Sequence, residues 1–298
     1  YEKINATPKA IAAYRNAIRY NQATIQDRLA YARQLLKNGD YKLAAQEFRI
    51  VLDSLPNDVL AQNGLKSALK APEWKKQGSR YTVKRMDVFN SRRDDYSPVL
   101  FGDDYDQLYF SSTRNEAAGD ELSGITGTKA GDIFLSEKDD KGKWSKPEAI
   151  GTGLNTEYDE GACCFTPDGR DMYLTQCVTD PSSPRYAKIV TSPRSDAAWG
   201  KTNKLEITKD TLSSYAHPAI SPDGEWLYFV SDMPGGMGGL DIWRVRITAV
   251  GLGGVENLGE PINTPGDEMF PTFRPHGALN VRSNGHVGMG GLDYYIAK

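Results

Sequence analysis

The sequence predicts an α+β multidomain chain: an N-terminal α-helical segment followed by an all-β propeller. Three observations predict it. Residues 1–72 carry apolar side chains at helical spacing. Four later segments share one order of strand, turn and strand. The same turn residues, Pro-Asp-Gly or close variants, recur with them. At 298 residues the chain is long enough for two domains that each bury a core.

The helices come first. Thr7-Pro8 reads as a cap with proline at the first helical position, and Ile11, Tyr14 and Ile18 follow on one face. Leu29, Ala32 and Leu36 mark a second helix, which Gly39-Asp40 breaks. Ala44, Phe48, Val51 and Leu55 mark a third, ended by Pro56-Asn57. Leu60, Ala61, Leu65 and Ala68 mark a fourth that stops before Pro72. Residues 73–80 are read as a linker, and residues 81–298 as the propeller.

The repeats follow. Their first strands include Ser97-Pro98-Val99, Ala162-Cys163-Cys164, His217-Pro218-Ala219 and Phe270-Pro271-Thr272. The turns are Gly102-Asp103-Asp104, Pro167-Asp168-Gly169, Pro222-Asp223-Gly224 and Pro275-His276-Gly277. Third strands start at Asp132, Ala187, Asp241 and Asp293, and fourth strands are read as ending at Asn155, Asp210 and Asn263. Cys163, Pro218 and Pro271 stand 55 and 53 residues apart, a blade-like period. Asn90 lies eight residues before Pro98, as Asn155 does before Cys163. Tyr81–Phe89 is therefore expected to be an orphan fourth strand that closes the ring on the last sheet. Four repeats are visible, and a truncated chain would leave room for five or six blades. The chain starts at Tyr1, not Met, and is read as a processed or trimmed piece.

Two resemblances rest on these residues. Ala32, Leu35, Gly39-Asp40-Tyr41, Ala44, Phe48, Leu52 and Pro56 resemble a tetratricopeptide repeat, with Arg28 at its usual Trp position. The copies over 81–298, Ser221-Pro222-Asp223-Gly224 most clearly, resemble the TolB-type (PD40, WD40-like) propeller repeat. The combination is similar to outer-membrane-associated proteins of Bacteroidetes, in particular PorE-type, OmpA-family components of the type IX secretion system. The repeated Gly-Met-Gly-Gly-Leu-Asp at Gly236–Asp241 and Gly288–Asp293 suits that group. The resemblance implies a non-enzymatic periplasmic scaffold attached to the outer membrane, made as a lipoprotein or secreted precursor. It implies partners among other envelope or secretion-system proteins. It implies peptidoglycan binding only through an OmpA-like domain that this chain does not contain.

Composition narrows the chemistry. Net charge is −3, which argues against a general nucleic-acid binder. Residues 1–80 carry 14 Lys+Arg against 7 Asp+Glu; the whole-chain totals of 36 and 39 leave 22 and 32 for the rest. A basic helical segment thus precedes an acidic propeller. Either the two attract each other, or each faces a different partner. No apolar run is long enough for a transmembrane segment. Cys163, Cys164 and Cys177 have no zinc spacing and read as small buried hydrophobes. The glycine-rich Gly235–Gly239 lacks the Lys-Ser/Thr of a phosphate loop, and His217, His276 and His286 lack ligand spacing. No cofactor, metal or catalytic set is expected.

The candidate site is a rim. Just before the first strands stand Asp94-Asp95-Tyr96, Asp159-Glu160, Ser214-Tyr215 and Asp267-Glu268. Paired carboxylates there would favour a basic peptide, a cation or a basic patch on a partner. His217 and Phe270 open the innermost strands and would line the channel mouth. On this reading, changing Asp159 and Glu160 to Lys weakens partner binding without lowering the melting temperature. The alternative is a propeller that binds peptide, glycan or cation, or that belongs to a hydrolase.

Overall fold

The structure, a computed structural model, describes the whole chain except residues 3, 80, 119–121, 123–128, 152, 179–185, 197, 275 and 298. Pro275 of the last turn therefore lies outside the described residues.

Four helices come first: α1 (Thr7–Arg19), α2 (Ile25–Asn38), α3 (Tyr41–Ser54) and α4 (Val59–Gln77). Thr7 is the first helical residue rather than the cap, and Ala6 precedes it without a side-chain bond. Pro8 is tolerated because the first turn has no partner for its missing N–H. At α2, Thr24 and Asp27 form a reciprocal capping box. Gly39, at φ 85°, ends α2 in the left-handed region and lets α3 begin at once. The fourth helix runs through Pro72 to Gln77, so most of the expected linker is helical. Good helix formers follow the proline, and Lys75 and Lys76 favour the negative end of the helix dipole. Each helix packs on the next around fully buried Ala32, Leu35, Ala44, Phe48, Val51 and Ala61. Gly64 admits the Phe48 ring, whose Cζ would lie 2.3 Å from any added Cβ.

Four antiparallel sheets follow. The first holds β1 (Asp95–Phe101), β2 (Gln107–Ser112), β3 (Asp132–Glu137) and β4 (Glu148–Ala149). The second holds β5 (Asp159–Phe165), β6 (Asp171–Val178) and β7 (Tyr186–Ser195), with β8 (Ala198–Trp199) and β9 (Asn203–Lys204) both paired to β7. The third holds β10 (Tyr215–Ile220), β11 (Trp226–Ser231), β12 (Asp241–Thr248) and β13 (Gly251–Asn257). The fourth holds β14 (Glu268–Phe273), β15 (Leu279–Ser283) and β16 (Asp293–Ala297). The innermost strands touch in sequence, β1 to β5, β5 to β10 and β10 to β14, which arranges the sheets as a four-blade propeller. Apolar clusters fill the gaps between sheets: Tyr109, Met172 and Leu174 between the first two, Ile189, Leu227 and Phe229 between the next. The turns follow their sequence, with Gly169 and Gly224 at φ 67° and 74° and Asp223 accepting the Glu225 amide at 2.9 Å.

Two expectations change. Asn155 and Asn263 do not end strands; each lies six residues past one, since β4 ends at Ala149 and β13 at Asn257. Their amides pair instead with the backbone of the third strand. Asn155 accepts the Ile133 amide and donates to the Ile133 carbonyl, both at 2.9 Å, and Asn263 treats Ile242 the same way. Tyr81–Phe89 is not a strand. Phe89 packs edge-on against Trp144 at 5.3 Å, and Arg114 donates to the Phe89 carbonyl at 2.6 Å. These contacts hold the segment on the first sheet rather than the fourth. The fourth sheet's outer strand has no further partner strand among the described residues.

Candidate functional site

The rim is built around a kink that recurs in every sheet. Ser97, Ala162, His217 and Phe270 have φ of 50°, 41°, 49° and 51°, and each coincides with a register jump in the innermost strand. Non-glycine residues adopt this region at a cost of about 1 kcal/mol each. The bulge releases an amide from the ladder, and the neighbouring sheet takes it up. Ala162 N–H donates to Ser111 Oγ at 3.0 Å, and His217 N–H to Thr175 Oγ1 at 2.8 Å. At the last gap Val230 occupies the position of those hydroxyls, and the His217 ring stacks on Phe270 at 3.8 Å and 17°. Arg282 lies over the other ring of this pair, 5.1 Å from the Phe270 centroid. Burial, with Arg282 adding to it, pushes the His217 imidazole down to about 3.

The rim acids divide into two classes. The second member of each pair turns inward. Glu160 and Glu268 are wholly buried. Glu160 accepts the Thr156 amide at 3.0 Å and its hydroxyl at 2.5 Å; Glu268 accepts those of Thr264 at 2.8 and 2.7 Å. Burial pushes both carboxyls up, only partly offset by these donors. Asp95 is also affected by burial, but the Ser112 hydroxyl, the Ser91 amide and the Arg114 guanidinium outweigh it and hold its pKa down. These residues are latches within each sheet, not solvent-facing charges. The signal was in the sequence: a Ser or Thr stands four residues before each, at Ser91, Thr156 and Thr264.

The first members bridge sheets. Asp159 accepts the Gly131 amide at 2.7 Å, and Asp267 accepts the Leu240 amide at 3.2 Å and the Asn284 side chain at 2.7 Å. Asp94 is exposed, and its carboxylate has no partner among the described residues. Tyr215 is buried with its hydroxyl 2.5 Å from Thr208 Oγ1. Tyr96 is half-buried against the second sheet, its hydroxyl 3.3 Å from where a Gly161 Cβ would stand. Asp94 is thus the one carboxylate of the six not engaged by the protein's own donors, among the described residues.

Two concavities were not foreseen. The first, about 650 Å³, lies on the axis at the far end of the innermost strands and touches all four of them. Phe101, Phe165 and Trp199 cluster beside it, with ring centroids 4.3 and 5.4 Å apart along that order, and Arg194 sits 4.9 Å from the Phe101 centroid. An aromatic just before the turn, at Phe101, Phe165 and Phe273, was its sequence signal. The second, about 690 Å³, opens between α2 and the loops of the third and fourth sheets.

The Gly-Met-Gly-Gly-Leu-Asp loops explain how that second cleft arises. In the third sheet Asp241 accepts the Met237 amide and closes the loop, and Gly239 N–H donates to the Gly266 carbonyl at 2.9 Å. A Cβ at Gly238 would lie 2.2 Å from that carbonyl oxygen. The loop therefore seats the chain that leads into the next sheet. In the fourth sheet Asp293 closes the same loop through the Gly290 amide at 2.9 Å, but helix α2 takes the seat. A Cβ at Gly290 would lie 2.7 Å from the Leu36 carbonyl carbon. The helical unit thus occupies the position that a following blade's approach would fill.

No protein-family model matches the sequence, and no curated protein matches it. Solved structures do resemble the fold. TolB from Acinetobacter baumannii aligns at 21% identity and TM-score 0.43, over 70% of this chain and 42% of its own. A puromycin-hydrolyzing peptidase from Mycobacterium tuberculosis aligns at 16% and 0.37, over 70% of this chain and 38% of its own. An alpha-L-arabinofuranosidase from Lactobacillus brevis aligns at 11% and 0.43, over 68% of this chain and 71% of its own. The chain spans less than half the length of the first two. At these identities the likeness concerns the fold alone. No helix among the described residues is long and apolar enough to cross a membrane.

Proposed function

We propose that the chain is a non-enzymatic docking scaffold of the bacterial envelope. It works in the periplasm beside the outer membrane, as part of a type IX secretion assembly, and a domain outside this chain ties it to peptidoglycan. The helices act as a tetratricopeptide-like second contact surface. One observation carries the docking reading: five of the six rim carboxylates are engaged by the protein's own donors, which leaves surfaces rather than reacting groups. The rim, with Asp94 and Tyr96 at its accessible edge, and the cleft beside α2 are the contact faces.

The test is capture from an envelope extract by the intact protein. Retention of secretion-assembly proteins, reduced by Asp94→Lys or by charge reversal on α2, is the expected result. Hydrolysis of a peptide or glycoside panel, or capture indifferent to both faces, overturns it. A ligand-binding propeller is the second reading, favoured by the aromatic-lined axial cavity of about 650 Å³.

A further inference from the structure

The excess positive charge of the helical unit is not neutralised by the propeller where the two meet. The hydrogen bonds between them are uncharged: Asn63 Nδ2 donates to the Gly285 carbonyl at 2.9 Å, and Gly288 N–H to Ser67 Oγ at 3.0 Å. No ion pair joins the two units among the described residues.

That charge is concentrated where the helices lead into the first sheet. Residues 66–86 carry seven Lys+Arg and one acid, Glu73. On α4, Ala61, Gly64, Ala68 and Ala71 are buried, and Asn63 and Ser67 bond to the propeller. The opposite stripe holds Lys66, Leu69, Lys70 and Lys76 at helical spacing, all exposed. Glu73 lies on the same stripe and accepts from Gln77 at 3.0 Å. In the connector, Lys84 and Arg85 are exposed, and Arg85 pairs with the exposed Asp87 at 2.6 Å. Lys66, Lys70, Lys76 and Lys84 are in no ion pair among the described residues.

Apolar groups are interleaved with these cations. Tyr81 is 71% exposed and Val83 91%, and Leu69 and Met86 are also open to solvent. Apolar side chains grouped among cations on a surface mark an interaction site. The connector from Gly78 to Met86 spans at most about 30 Å, so its apolar groups stay near the end of α4.

We propose that this junction, the outward stripe of α4 with connector residues 81–86, docks on a bilayer surface that carries anionic headgroups. Lys66, Lys70, Lys76 and Lys84 approach the headgroup phosphates, while Tyr81, Val83 and Met86 enter the boundary beneath them. Val83 and Met86 argue against nucleic acid, since aliphatic side chains offer no ring for a base to stack on. They also argue against a purely ionic partner surface, which would leave them in water.

The inference goes beyond the docking reading and is tested apart from it. The intact protein is sedimented with vesicles of mixed phosphatidylethanolamine and phosphatidylglycerol, and with phosphatidylcholine alone. Binding to the anionic vesicles is expected, and the combined variant Lys66→Glu, Lys70→Glu, Lys84→Glu should weaken it by at least about tenfold. Lys9→Glu with Arg19→Glu and Lys42→Glu, an equal charge change at exposed positions of α1 and α3, should leave it within about threefold. Val83→Ser with Met86→Ser, which changes no charge, should weaken it by at least about fivefold. Circular dichroism checks that all three variants keep their helices. The proposal is overturned by equal binding to phosphatidylcholine, by equal loss in the two charge variants, by indifference to the Val83 and Met86 changes, or by no binding. A single-stranded oligonucleotide that binds more tightly than the vesicles and responds to the Lys66 variant overturns it in favour of nucleic acid. Envelope capture that persists while vesicle binding fails sinks the lipid contact and leaves the docking reading standing.

Discussion

The His217 backbone amide donates to Thr175 Oγ1 at 2.8 Å, across the gap between the third sheet and the second. The preceding gap has the same link, from Ala162 to Ser111. Both arise because a bulge frees one amide from its own ladder, and a buried amide needs an acceptor. Thr175→Val keeps the shape and removes the acceptor. The expected loss is about 1–3 kcal/mol in urea unfolding, with Ser111→Ala behaving alike. An unchanged midpoint in both would show that these links contribute nothing to holding the sheets together.

The two classes of rim acid should separate on substitution. Glu268→Ala leaves the Thr264 amide without its acceptor inside the protein and should cost about 3 kcal/mol. Glu160→Lys places a second kind of buried charge among donors and should cost at least as much. Asp94→Lys, at an exposed carboxylate, should change stability by less than about 0.5 kcal/mol. Thermal melts of the three variants check this; because Glu160 is wholly buried, reversing Asp159 and Glu160 together should lower stability, against the expectation from sequence.

His217 should make stability fall on the acid side. Its folded pKa is lowered from 6.5 to about 3, so the unfolded chain takes up the proton first. The neutral ring's contribution is present above 6.5 and is lost as pH falls toward 3. His217→Phe keeps a ring against Phe270 and removes this titration. Relative to that variant, the wild type should lose up to about 1.4 kcal/mol per pH unit below pH 6. Parallel stability–pH curves for the two proteins would refute the assignment.

Gly290 should decide whether the two units behave as one. Its φ of 109° and its approach to the Leu36 backbone leave no room for a side chain. Gly290→Ala should split a single calorimetric transition into two and speed tryptic cleavage after Lys84 or Arg85. Gly254→Ala, where an added Cβ meets nothing within 4 Å, should do neither.

Much of the architecture was legible in local chemistry. Gly39 broke the helices where its left-handed φ was needed, and Pro-Asp-Gly placed the turns because those residues suit that backbone. The repeated strand–turn–strand order and the spacing of Cys163, Pro218 and Pro271 located the sheets. Pro72 misled, since proline's penalty in a helix can be outweighed by its neighbours. Tyr81–Phe89 misled because its resemblance to a fourth strand is only a spacing, and spacing carries no information about which sheet has room.

The sequence by itself thus determined a helical unit, a repeated sheet and the absence of any familiar catalytic spacing. Only the tertiary structure decided which carboxylates face water. Glu160 and Asp94 stand in corresponding rim segments, yet one is wholly buried and the other exposed. It also decided that helix α2 occupies the seat beside Gly290, so that a cleft opens between α2 and the loops of the third and fourth sheets. The reason is physical. Turn and strand preferences act over a few neighbouring residues, whereas burial and charge pairing depend on groups brought together from distant parts of the chain, here 222 residues apart at Asn63 and Gly285.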